Sequence, residues 1–387
     1  MVIERRFIMK MQLIATATFG LEAVVKREIE ALGYEIIASE DGRITFEGDE
    51  RGLVRANLWL RTADRVYVKL AEFEAKTFQQ LIDESEKIDW AKWLPEDGKF
   101  IVTGTSVKSV LHSVPACQGT IKKSIISALS AKHGHSHFEE DGAEYGIRFS
   151  ALKDRFIIML DSSGEGLHKR GYRVKDVSAP IKETLASALV QLSFFKAGRL
   201  MADPLCGSGT IAIEAAMLAR NIAPGLSRSF AAQEWSFIPA EIWKEEKKSA
   251  FAAIDYDADV RILASDIDRR AVAAARANAE EAGVDDCIEF TVADARDFDS
   301  EEEGGIIITN PPYGERIGEK DDLKHIYNRL SRFCRLHPTW SLFLITSDTG
   351  FEKQFGKPAN RRRKLYNGNI QTCYYQYHGE KKKAEEQ

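Results

Sequence analysis

The tetrapeptide Asn310-Pro311-Pro312-Tyr313 carries the most specific chemistry in this 387-residue chain. Two consecutive prolines fix the backbone and remove its donors, so the Pro311 carbonyl can stand as an acceptor beside the side-chain oxygen of Asn310. Tyr313 adds a flat ring on which a nucleobase can stack. An exocyclic amine has its lone pair delocalised into the base and is a poor nucleophile. Two acceptors holding its hydrogens favour the tetrahedral nitrogen that attacks a methyl donor. Alignment of amine and donor can contribute roughly 7–11 kcal/mol. A general base is expected to give ~10²–10⁴-fold, about 3–5 kcal/mol. Positioning outweighs proton transfer, and no catalytic dyad is required.

A place for the donor is written upstream. Residues 203–210 read DPLCGSGT and open a helix with the body IAIEAAMLA. Gly207 and Gly209 let the backbone pass tightly under a ligand, and the helix start offers free N–H groups. The third glycine of a dinucleotide fingerprint and the lysine of a phosphate loop are both missing, so a cofactor without a pyrophosphate suits this turn better. Cys206 puts a small side chain against that cofactor, with no base nearby to make it a nucleophile. Asp266, at the end of a strand, is placed to accept both hydroxyls of a ribose. Asp268, two residues on, reads as a helix cap. Asp294, at the next strand end, can accept a hydrogen bond from an adenine amino group.

These motifs need strands that end on one edge. From about residue 178 apolar strands alternate with long helices, which implies a mostly parallel, doubly wound α/β sheet covered on both faces. The strands are expected at 199–203, 261–266, 288–293, 305–309 and 341–346. The first two stand roughly sixty residues apart where about thirty usually suffice. Residues 221–257, with Trp235, Phe237 and Trp243, are therefore an insertion, read as forming a small core of its own or a stacking surface. The first part of the chain reads as α+β. Strands are expected at 12–18, 42–48, 100–106 and 155–161, with helices around Val24, Val25 and Ile29 and around Ile121, Ile125 and Leu129.

Hydrophobic residues at 44% and charged residues at 29% fit a soluble globular protein, without a spanning segment or a signal peptide, and point to the cytoplasm. The five scattered cysteines argue against a disulfide framework or zinc cluster, and HGHSH (His133, His135, His137) reads as a loop rather than a metal site. The net charge of −5 is unevenly spread. Residues 98–138 contain no acid but hold Lys99, Lys108, Lys122, Lys123 and Lys132. Residues 353–379 are also free of acids and contain Arg361, Arg362, Arg363 and Lys364, and residues 168–175 read HKRGYRVK with Lys169, Arg170 and Arg173. Such segregation can build basic, phosphate-binding faces on an acidic protein. Arg316 reads as either a phosphate contact or a partner of Glu315.

With DPLCGSGT, SDID, VADA and NPPYGER, preceded by LHKRGYR and APIKETLA, the chain resembles the class I methyltransferases that modify 23S rRNA at guanine N2, often labelled N6-adenine-specific DNA methylases. The resemblance implies an N-terminal ferredoxin-like segment at 1–70, an RNA-binding THUMP domain at 71–165, a Rossmann-like methyltransferase domain at 166–379 and a disordered tail at 380–387. It implies S-adenosylmethionine as cofactor and ribosomal RNA of the large subunit as partner. Asp203, Cys206, Gly207, Gly209, Thr210, Asp266, Ile267, Asp294 and Ala295 are then expected on the cofactor, with Lys182 and Thr184 leading into the site. A second fused methyltransferase, present in some members, is not expected, and Met9 or Met11 is a candidate initiator. The motif leaves two further readings open: an adenine N6-methyltransferase acting on DNA or RNA, and a non-catalytic RNA-binding or assembly factor. The oligomeric state is not legible.

Overall fold

In the computed structural model, which describes residues 9–175, 180–313 and 319–380, strand β1 (Met11–Ala17) leads into α1 (Glu22–Ala31), whose Val24, Val25 and Ile29 share a buried face. There follow β2 (Ile36–Glu40), β3 (Arg43–Gly48), α2 (Glu50–Trp59), capped by Asp49, and the long β4 (Ala63–Glu74). Next come α3 (Phe78–Glu86), opened by a capping box between Thr77 and Gln80, then α4 (Trp90–Trp93) and β5 (Lys99–Val107). The long α5 (Val114–His133), β6 (Glu144–Leu152) and β7 (Arg155–Asp161) complete this half. Among the described residues these strands form one seven-stranded sheet in the order β2-β3-β1-β4-β7-β6-β5. Its strands pair antiparallel except for β5 with β6. Residues 63–68 of β4 pair with β1 and residues 67–74 with β7, so position 70 lies inside a strand and the two N-terminal parts share one sheet.

The second half begins with α6 (Glu183–Leu192), β8 (Met201–Asp203) and α7 (Thr210–Ala219), then α8 (Ala240–Ala252) within the insertion, β9 (Ile262–Asp266) and α9 (Arg269–Ala282). It continues through β10 (Ile288–Val292), β11 (Ile306–Thr309), α10 (Glu319–Leu336), β12 (Ser341–Thr346), α11 (Phe351–Phe355), β13 (Arg361–Asn367) and β14 (Ile370–Tyr377). The described strands form a sheet in the order β10-β9-β8-β11-β12-β14-β13. The first five are parallel; β14 and β13 add an antiparallel hairpin at one edge. Each of the five expected parallel strands is present, because strands buried on both faces must be written as apolar runs. The hairpin has no counterpart among the expected strands; Leu365, Tyr374, Tyr375 and Tyr377 are buried in it, and the intervening polar residues obscure the pattern.

The insertion corrects an expectation. Its aromatics form neither a core of their own nor an open stacking surface. Phe230, Trp235, Ile238 and Trp243 join the core of the N-terminal sheet. Trp235 stacks on Tyr145 with centroids 5.7 Å apart and planes at 9°, and Phe237 meets Trp93 edge-on at 5.5 Å. On the same side Glu246 of α8 accepts Arg51 at 2.5 Å and Arg55 at 3.2 Å. A thirteen-residue helix cannot enclose three large rings by itself, so the segment strands its apolar side on the neighbouring domain.

A second tie runs through buried charge. The Arg170 guanidinium, 2% exposed, bonds Glu214 on α7 at 3.3 Å and the carbonyls of Leu167 and Arg61. Glu214 also accepts the Tyr172 and Ser187 hydroxyls. Glu28 of α1 accepts from Thr62 and, across the boundary, from Gln191 of α6. Among the described residues no helix is long and apolar enough to cross a membrane. The expected disordered tail, apart from Glu380, the Arg316–Glu315 alternative and part of the segment entering α6 lie outside the described residues.

Candidate active site

Strands β8 and β11 are parallel neighbours, with Met201 opposite Ile306 and Ala202 opposite Ile307. The sheet order reverses between them, since the chain proceeds from β8 outward to β9 and β10 and returns to β11 on the other side of β8. Open α/β sheets bind ligands at this reversal, beyond the strands' C-terminal ends. Asp203 ends β8 and Asn310 follows β11. The hydroxyl of Thr309 donates to the Asp203 carboxylate at 2.7 Å, so the glycine turn and the double-proline loop open on one rim.

The turn closes through Gly209 N–H to the Cys206 carbonyl at 2.8 Å, with φ of 52° at Gly207 and 82° at Gly209, values that side chains resist. A Cβ at Gly209 would stand 3.0 Å from that of Ala275, which marks the close packing of α7 on α9; over Gly207 the space is open to 4 Å. Cys206 is buried, and burial pushes its thiol pKa well up, away from nucleophilic use. Asp266 accepts Gly207 N–H and Asp268 N–H, both at 2.9 Å, and keeps further lone pairs for a ligand. Asp268 caps α9 through Arg270 N–H, as its position predicts. Beside it Ile267 is 64% exposed, an apolar face available to a ring. Asp294 accepts the backbone and guanidinium of Arg296, which holds its pKa below the usual carboxylate range; Ala295 next to it is buried.

Asp203 is almost wholly enclosed, and burial raises its carboxyl pKa to about 7. The Asn310 side-chain oxygen is buried and has no hydrogen-bond partner among the described residues. A buried acceptor left empty costs about 1–3 kcal/mol, which makes it a receptor for a donor brought by a ligand. Pro311 is buried, Pro312 is exposed, and the half-buried Tyr313 accepts a hydrogen bond from Asn367 Nδ2 at 3.2 Å.

Several expected residues stand elsewhere. Arg170 is not offered to RNA, being locked in the buried network. Arg173 also turns inward: it bonds Glu183 at 2.7 Å, Ser208 Oγ at 3.1 Å and Thr210 Oγ1 at 3.0 Å, bracing the glycine turn. Thr184 is buried in α6, whereas Lys182 is exposed, close enough to Asp64 and His168 to shift their titration. The acid-free windows of the sequence are not acid-free in space. Lys99 faces Glu144 at 3.5 Å, Lys122 faces Glu140 at 3.4 Å, and His133 and His135 both reach Glu96. Lys108, Lys123, Lys132 and Lys169 are exposed. Three residues at the site were missed: Thr309, Asn367 and Asn278, whose amide ties Lys175 and Val174 to the Ser208 carbonyl. Asn278 left one trace, a polar residue on the buried alanine face of α9.

The donor set fits an adenosyl cofactor: an open glycine turn, an acid with spare lone pairs, an exposed Ile267 and an empty acceptor on one rim. Fold and site together define a Rossmann-like class I methyltransferase. Residues 170–376 match the family described as "RMKL-like, methyltransferase domain", residues 12–67 the "RlmL ferredoxin-like domain" and residues 75–161 the "THUMP domain". The chain belongs to the RMKL-like methyltransferase family, with ferredoxin-like and THUMP domains ahead of the catalytic fold. It is 49% identical over 95% of its length, and 96% of the relative's, to "Putative RNA methyltransferase YpsC" of Bacillus subtilis (strain 168). It is 34% identical over 92% of its length to "Ribosomal RNA large subunit methyltransferase K/L" of Psychromonas ingrahamii, of which it spans 49%. The solved structure of SMU.472, "a putative methyltransferase complexed with SAH", has a TM-score of 0.92 at 39% identity, covering 97% of this chain and 99% of that one.

Proposed function

We propose that this protein transfers a methyl group from S-adenosylmethionine to the exocyclic N2 amine of a guanine in 23S ribosomal RNA. The observation that carries the reading is the empty, buried acceptor of Asn310, set on the rim of the glycine turn through the 2.7 Å bond from Thr309 to Asp203. When bound, the sulfonium cofactor supplies an electrophilic methyl group. Asp266, Ile267, Asp294 and Ala295 would hold its adenosine, together with Asp203, Cys206, Gly207, Gly209 and Thr210. Asn310 Oδ1 and the Pro311 carbonyl accept the two amine hydrogens while the Tyr313 ring supports the base. As the nitrogen becomes tetrahedral its hydrogens grow more acidic, and these acceptors gain strength in the transition state.

An RNA substrate is supported by the THUMP match over residues 75–161 and by the name of the K/L relative. Exposed Lys108, Lys123, Lys132 and Lys169 are offered as phosphate contacts, joined by Lys99 and Lys122 once their carboxylates give way. The working units in this reading are 1–70 and 71–165, which grip, and 166–379, which transfers. A cytoplasmic setting accords with five cysteines that are all free thiols.

Nucleoside mass spectrometry of rRNA from a deletion strain and its parent tests the reading. The expected result is loss of one N2-methylguanosine from the large-subunit rRNA. Loss of an N6-methyladenosine would move the reading to adenine. A wild-type protein that binds RNA and cofactor but never yields methylated product would make it a binding factor.

A further inference from the structure

A cavity of about 820 Å³ opens where three parts of the chain meet: residues 163–173 leaving β7, residues 180–183 entering α6, and residues 227–234 of the insertion. Its volume is that of a ligand site, roughly 300–1,000 Å³. The walls approach so closely that glycine is required. Gly171 has φ of 103°, and a Cβ there would lie 2.6 Å from the Ser227 carbonyl oxygen. At Gly164, with φ of 72°, a Cβ would meet Ala231 at 3.3 Å.

The lining is cationic. Lys169, Arg170, Arg173, Lys182 and Arg228 line it with three acids, Glu165, Glu183 and Glu234. Arg170 is paired with Glu214 and Arg173 with Glu183, which leaves Lys169, Lys182 and Arg228 as the cations that set its field. Arg228 directs its guanidinium at the carbonyls of Ser163, Glu165, Gly166 and Lys169, so no carboxylate among the described residues pairs with it. Lys182 makes no ion pair among the described residues, and Lys169 has only the exposed Glu165 at 3.8 Å. Burial and the surrounding Lys182, Arg170, Lys169 and Arg228 hold the His168 pKa down at about 4, leaving a neutral imidazole at the centre of this field. One wall is shared with the catalytic rim, because Arg173 bonds both Ser208 and Thr210 of the glycine turn.

We propose that this cavity binds the sugar-phosphate backbone of the RNA strand that carries the target base, with Lys169 and Lys182 as phosphate ligands and His168 as a hydrogen-bonding partner. The inference rests on the RNA methyltransferase reading and gives it a place for the strand between the N-terminal sheet and the acceptor rim. Phosphate held here is one guanidinium away from the cofactor turn, so the grip on the backbone and the placing of the base share a rigid part.

The test is binding of a single-stranded oligoribonucleotide by the full-length protein as a function of salt, with inorganic phosphate as a competing probe. Lys169→Gln combined with Lys182→Gln should weaken binding on the order of tenfold and lower the log–log salt slope by about 1.4, near 0.7 for each phosphate that is no longer neutralised. Affinity for S-adenosylhomocysteine should stay at the wild-type value in Lys169→Gln alone, and Lys169→Arg combined with Lys182→Arg should keep most of the RNA affinity. An unchanged affinity and slope in the double variant, with a wild type that binds RNA, overturns the cavity assignment and leaves the methyl-transfer reading standing. Inorganic phosphate that binds as tightly as the oligonucleotide would make this a free-anion site and overturn it too. A wild type that binds no RNA overturns both.

Discussion

Asn310 and Asp203 sit on the same rim and make opposite demands on their surroundings. Asn310 presents a buried acceptor that wants a donor, so Asn310→Ala should lower kcat by ~10²–10³, the usual loss for one transition-state hydrogen bond. Calorimetry with S-adenosylhomocysteine should show cofactor affinity retained; parallel loss of both would count against Asn310 as an amine ligand. Asp203 is a carboxyl kept from water, with its pKa raised from 3.8 to about 7. The native state therefore binds a proton more tightly than the unfolded chain. Stability falls as pH rises from about 4 to about 7, where the ionised group becomes costly, and is flat beyond that window. Asp203→Asn keeps the acceptor for Thr309 and removes the ionisation. Urea unfolding should show it more stabilising at about pH 8 than at about pH 5. Equal effects at both would mean that Asp203 does not titrate in this range.

At the scale of elements, the insertion is the part whose role changed on folding. Trp243 of α8 lies against Phe230 with centroids 5.2 Å apart, inside the core of the N-terminal sheet. Trp243→Ala should cost about 3–5 kcal/mol in denaturant unfolding, with the loss spread to the N-terminal half because the ring is shared. If the insertion were a separate unit, the first transition alone would shift and the main one would not. The parallel strands were legible because burial on both faces forbids polar residues in them. The partner of the insertion was not, since an amphipathic segment declares that it has an apolar side and not which surface that side will meet. The same limit hid β13 and β14: of the seven residues of β13 only Leu365 is buried, so the segment read as a basic surface.

Across the whole molecule, buried charge joins the halves, because Arg170, paired with Glu214, also donates to the Arg61 carbonyl of the N-terminal half. Arg170 at 2% exposure and Glu214 at 0% form a pair whose rupture leaves an uncompensated ion. Glu214→Gln should therefore destabilise by about 3–5 kcal/mol, and replacing both by apolar residues of similar volume should cost less than the single change. Double-mutant analysis of thermal unfolding would decide; additive effects would refute the pairing. The basic windows obey a different rule. Glu96, Glu140 and Glu144 lie just outside residues 98–138 in the chain, yet they fold against His135, Lys122 and Lys99. Lys123, which is exposed, should contribute more: Lys123→Glu should weaken RNA binding and reduce its salt slope by about 0.7, whereas an unchanged slope would remove that face from the interface.

The order of the chain alone determined the chemistry on offer: a glycine turn, acids at successive strand ends and a double-proline loop after a fourth strand, each specified by backbone constraints that act within a few residues. Tertiary structure decided what the charges and rings would be used for. Arg170 and Arg173 left the surface, Lys182 came to line a cavity, and the aromatics of the insertion found another domain's core. Those outcomes depend on which groups meet across long stretches of chain, and desolvation and pairing are settled only when they meet.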